Sequence, residues 1–144
     1  MRRTSVALRA ALLLSFVAAH APAATARADV GGLKGKIVIS DAEFGTGYGS
    51  DAAMVKAVKK QAKTSLAGEG AWTLNLMVFL KEAPGAEKIN IVYYDISKRP
   101  YEQVNYSEVQ VQATQKIIPI NGVAVSKDLG FVKGHTYEVR ATRL

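Results

Sequence analysis

The chain has 144 residues, 19 Lys+Arg against 12 Asp+Glu, and no cysteine. The lack of cysteine excludes disulfides, thiolate metal sites and lipid attachment at a processed cysteine, so the core must hold the fold unaided. Four of the basic residues (Arg2, Arg3, Arg9, Arg27) and none of the acidic ones lie in residues 1–28, so the remainder carries 15 against 12, a net of +3. That is not the basic footprint of a nucleic-acid-binding protein, and no nucleic-acid partner is expected.

Residues 1–28 read as a cleaved signal peptide. Arg2 and Arg3 form a basic start, residues 10–19 an apolar run, and Ala26-Arg27-Ala28 a small-x-small cleavage site. The apolar run is too short to anchor the chain across a bilayer, which takes about 20 apolar residues. The residues around Arg2-Arg3 do not support a twin-arginine signal. The short, Ala-rich form suggests a bacterial origin. The expectation is an exported chain, periplasmic or extracellular and soluble after cleavage. Residues 29–144 then form a single domain.

Residues 36–40, Lys-Ile-Val-Ile-Ser, read as a strand. A loop with Gly45, Gly47 and Gly49 follows. Residues 50–66 are the one strongly helical segment. Ser50 suits the N-cap, and Met54, Val58, Ala62 and Leu66 recur every fourth residue as an apolar face. Lys56, Lys59, Lys60 and Lys63 form a basic stripe, and Gly68 and Gly70 are expected to end the helix.

After Gly70 the period becomes two. Trp72, Leu74, Leu76, Val78 and Leu80 share one face, and Trp72 is expected to be buried. A second alternating run holds Ile89, Ile91 and Tyr93. With Pro84-Gly85 between them, the two runs predict a β-hairpin. Residues 102–114 predict another strand whose apolar parity shifts, implying a bulge near Ser107. Asn121-Gly122 between apolar runs predicts a tight hairpin turn, and Pro119 places its strand at a sheet edge. The last strand, residues 135–143, turns Tyr137, Val139 and Ala141 inward. The fold class is therefore mainly β: an antiparallel sandwich with one inserted amphipathic helix.

Phe131, Gly134 and Tyr137 in Phe-Val-Lys-Gly-His-Thr-Tyr resemble the approach to strand F of immunoglobulin-like and fibronectin type III domains. There an apolar residue, a turn glycine and a buried tyrosine build a tyrosine corner. The resemblance implies an immunoglobulin-like β-sandwich and nothing about activity. It also implies a strand G beyond strand F, and the chain ends at Leu144. The edge of the last strand is thus the candidate interaction surface, through Tyr137, Glu138, Arg140 and Thr142. Residues 36–40 could fold over to fill the place, the chain could be truncated and lack its last strand, or a protein partner could add a strand there, and part of the core beside the edge is expected to lack cover.

His135 is the only histidine beyond residue 28, so the usual zinc, copper and haem ligand sets cannot be assembled, and no metal or cofactor is expected. It reads as a solvated surface residue. The three loop glycines have G-x-G-x-G spacing, which does not fit a phosphate cradle. The expected function is a non-enzymatic binding or structural module. The alternatives are a hydrolase or carbohydrate-active enzyme using Asp41, Glu43 or Asp95, and a membrane-surface protein using the lysine stripe. The helix lacks aromatics to insert, which weighs against membrane contact. Among Tyr93, Tyr94, Tyr101 and Tyr106, one or two are expected to face outward.

Overall fold

The computed structural model describes residues 30–67 and 70–143; the predicted signal peptide lies outside them. In chain order the elements are β1 (Ile37–Ser40), α1 (Asp51–Gln61), β2 (Trp72–Phe79), β3 (Lys88–Asp95), β4 (Glu102–Gln110), β5 (Ile117–Val125), a single 3-10 turn (Lys127–Leu129) and β6 (Tyr137–Arg143). The strands form two antiparallel three-stranded sheets, ordered β1-β2-β5 and β4-β3-β6.

Apolar period dictates the layering. Leu74, Leu76 and Val78 of β2 join Ile89, Ile91 and Tyr93 of β3 and Tyr137, Val139 and Ala141 of β6 in one core between the sheets. The opposite face of β2 is apolar too. Met77 and Phe79 meet Met54 and Val58 of α1 in a second core, with Val38, Phe44 and Leu33. The molecule is thus a helix, a sheet and a sheet, with β2 covered on both sides. Trp72 packs against the first core but is only half-buried, where the sequence predicts a buried residue.

The predicted hairpin between the two alternating runs does not form. β2 and β3 lie in different sheets and face each other across the core. Alternation shows which residues face inward but not whether two strands stand side by side or face to face. Residues 80–87 cross between the sheets and bond to the β4–β5 connection instead: the Leu80 N–H donates to the Lys116 carbonyl and the Gly85 N–H to the Ala113 carbonyl, each at 2.8 Å.

Asn121-Gly122 does not turn the chain either. Leu74 faces Val123 and Leu76 faces Ile120, so Asn121 and Gly122 together stand opposite Asn75 in a bulge of the continuous strand β5. Gly122 supplies the positive φ, +77°, that the bulge needs. Buried Asn75 accepts its N–H through Oδ1 at 3.0 Å. The Asn121 amide accepts from the Phe44 N–H at 3.0 Å and donates to the Phe44 carbonyl at 2.9 Å, pinning the glycine loop. Pro119 is on an edge strand, as predicted.

Helix α1 starts as expected, with Ser50 Oγ accepting from the Ala53 N–H at 3.1 Å. It ends at Gln61, short of the predicted residue 66. Ala62 turns to an extended ψ of 132°, and the Lys63 N–H donates to the Ile39 carbonyl of β1 at 2.8 Å. A hydrogen bond to a strand has replaced the next turn of helix. Leu66 accordingly packs in the core between the sheets rather than with Met54 and Val58, and Ala62 is exposed. The bulge expected near Ser107 lies at Val104 instead: Tyr93 pairs with Asn105 and Tyr94 with Gln103. Tyr106 is thereby outward while Val104 and Val109 pack on the core.

Candidate interaction surface

Every sheet edge presents unpaired backbone groups, and natural proteins blunt such edges with proline, bulges or covering segments. Three of the four edges here carry such a device. β5 has Pro119 and the Asn121-Gly122 bulge. β4 has the Val104 bulge, with Gly130 so close that an added Cβ would stand 3.0 Å from the Val104 carbonyl oxygen. β1 receives the Lys63 N–H. β6 differs: its seven residues pair with β3 in unbroken register, from Asp95 opposite Tyr137 to Ile89 opposite Arg143, and it pairs with no other strand among the described residues. It contains neither proline nor bulge. Residues 36–40 do not fill the place beside it, because they pair with β2.

The predicted surface residues divide by parity. Tyr137 points into the core at 1% exposure, together with Val139 and Ala141, so the core beside the edge is covered and the expected gap is absent. Glu138, Arg140 and Thr142 point to the outer face. Glu138 is nevertheless buried, because Arg140 Nε donates to its carboxylate and the Arg140 guanidinium lies over the Tyr94 ring, 4.5 Å from its centre. Periodicity placed these side chains on one face but could not show this stacking, which depends on the β3–β6 register.

Tyr137 holds the strand's entry. Its hydroxyl accepts from the Val132 N–H at 2.5 Å and donates to the Val132 carbonyl at 3.3 Å. Burial pushes its phenol pKa up, against the lowering effect of the Val132 hydrogen bond. The ring meets Phe131 at 5.2 Å between centroids, and Phe131 meets Tyr93 edge-on at 5.4 Å.

His135 is half-buried and not the solvated residue expected. Its Nδ1 lies 2.5 Å from Asp95 Oδ2. Ser97 closes the cluster: its N–H donates to Asp95 Oδ1 at 2.8 Å, and its hydroxyl accepts from the Thr136 N–H at 2.7 Å. These bonds tie the end of β3 to the start of β6. The serine hydroxyl is held by backbone and has no hydrogen bond to the histidine, so the three side chains are not arranged as a nucleophile and its base. Burial pushes the Asp95 carboxyl up, but the contacts with His135 and Ser97 outweigh it and hold the acid below the usual range. A folded pKa below the unfolded one adds stability above the unfolded pKa and loses it as pH falls through the folded pKa. Acid unfolding of the wild type should therefore include a loss of stability below about pH 4 that Asp95→Asn removes. Identical acid limbs in urea titrations of the two proteins would contradict the pairing.

The remaining predicted sites stay dispersed. Lys56, Lys59 and Lys60 are exposed on α1, but Lys63 lies past its end, which breaks the stripe, and Lys59 Nζ donates to the Gly31 carbonyl at 2.8 Å. Asp41 and Glu43 are exposed on the loop after β1 and share no hydrogen bond with Asp95. Tyr101 and Tyr106 are outward, Tyr93 is in the core, and Tyr94 lies under Arg140. Among the described residues no cluster of three or more His, Asp or Glu is placed to hold a metal, and no helix is long and apolar enough to cross a membrane. No protein-family model matches the chain, and comparison with curated proteins and with solved structures finds no match.

Proposed function

We propose that the chain is an exported immunoglobulin-like β-sandwich that works as a binding or structural module, with the β6 edge as its partner surface. Export rests on the signal-peptide pattern of residues 1–28. The immunoglobulin-like reading is supported by strand order. With the strands lettered in sequence and β4 taken as C′, the sheets read A-B-E and C′-C-F, and the Tyr137 hydroxyl makes the corner bond at the start of strand F. In that architecture strand G pairs with the outer edge of strand F. No strand stands there among the described residues.

The observation that carries the proposal is the contrast between edges: among the described residues β6 has an unbroken register and no proline, bulge or covering segment, where β1, β4 and β5 each have one of these. An edge of this kind accepts an added strand through backbone hydrogen bonds, and alternate side chains set which strand fits. The test is to append a designed strand after Leu144 through a short turn. A rise of several degrees in melting temperature is expected, since one added ladder contributes on the order of 1–3 kcal/mol. An unchanged melting temperature would mean that the edge is not open.

A further inference from the structure

The open edge is also self-complementary, and we infer that its occupant is β6 of a second copy of this chain. The inference rests on the open-edge reading above and adds the partner and the register.

Two β6 strands related by a two-fold axis normal to the sheet run antiparallel and keep their cores on the same side, so residues placed opposite each other must share a face. Such a pairing is centred on one residue. Centring on Glu138 opposes two carboxylates, and centring on Arg140 opposes two guanidinium groups; like charges directly opposite are destabilising. Centring on Ala141 sets Arg140 opposite Thr142 and gives neither Glu138 nor Arg140 an opposite charge. Centring on Val139 meets none of these objections. Glu138 then faces Arg140 of the second copy, and Arg140 faces its Glu138. Each copy already joins Glu138 to Arg140 along its own strand. The four groups become a ring of alternating sign.

The inner face agrees with the same register. Val139 faces Val139, and each large Tyr137 faces a small Ala141. On the outer face Thr136 stands opposite Thr142, a pair of β-branched residues suited to cross-strand contact. The two sheets merge into one of six strands, ordered β4-β3-β6-β6-β3-β4. Within β6 there is neither proline nor bulge, and the one charge on the inward parity, Arg143, stands at the strand's last position, opposite Ile89 and away from the Val139 centre.

Sedimentation of the exported, processed protein across a concentration series tests this. The wild type should show a reversible monomer–dimer equilibrium. Glu138→Arg makes the outer face of β6 basic, and Arg140→Glu makes it acidic. Each alone should raise the dimer Kd roughly tenfold or more, through two repelling pairs. An equimolar mixture of the two variants should regain a dimer, because each strand then faces opposite charge. Melting curves establish that each variant is folded. Should Glu138→Arg fail to fold, Arg140→Glu and Arg140→Lys carry the test: only the first should weaken the dimer. A wild type that stays monomeric, or an Arg140→Glu variant that dimerises like wild type, would overturn the inference. A monomeric wild type that still gains stability from the appended strand would remove the second copy and keep the open edge. A wild type that gains none would remove both.

Discussion

Replacing Phe131 with alanine is expected to cost about 3–5 kcal/mol of folding stability, the largest effect of any single change considered. Phe131 lies in the connection between β5 of one sheet and β6 of the other, and it is 2% exposed. Its ring is held between Tyr93 of β3 and Tyr137 of β6, with centroids 5.4 and 5.2 Å away. Truncation removes a buried aromatic and leaves a void that two tyrosines, each fixed in a strand, cannot collapse to fill. It also ends two ring contacts, each worth about 0.5–1.5 kcal/mol beyond area burial. Phe131→Leu keeps much of the volume and should cost about half as much. Urea unfolding gives both values. A cost under about 1 kcal/mol for alanine would show that this end of the sandwich closes without the aromatic trio.

Tyr137→Phe is the more specific test, with an expected cost of about 1–3 kcal/mol. The ring stays in the core and only the hydroxyl is lost. The Val132 N–H then loses its acceptor, and the turn before β6 loses the bond that fixes the strand's entry. The effect should be local as well as global, with faster amide exchange at Val132 and the residues around it. If the variant matches wild type in both stability and exchange, the hydroxyl is not what positions β6.

Much of this fold is legible in the sequence because burial is written in its period. The inward sets of β2, β3 and β6 follow from alternation, and Ser50 and Pro119 mark a helix start and a sheet edge. What alternation does not encode is which strand stands beside which. The pairs of Leu74 with Val123 and of Ile89 with Arg143 join residues far apart in sequence, and no local signal selects them. Asn121-Gly122 shows how local preference is overridden. Its need for positive φ is met equally by a hairpin turn or a bulge, and the long ladder along β2 together with the Phe44 backbone decides for the bulge. The helix end follows the same rule. Propensity would carry the helix past Gln61, but a hydrogen bond to Ile39 competes and prevails. At the candidate surface, the charges of Glu138 and Arg140 were visible in the sequence. Their burial and the stacking on Tyr94 needed the β3–β6 register.

Residue-resolved amide exchange along β6 tests the open edge most directly. In an antiparallel ladder successive N–H groups of one strand point to opposite sides. In the dilute protein, every second amide from Tyr137 to Arg143 should be protected by β3 and the intervening ones should exchange rapidly. Uniform protection of all these amides, unchanged on dilution, would contradict the account, because it would mean that the edge is already filled.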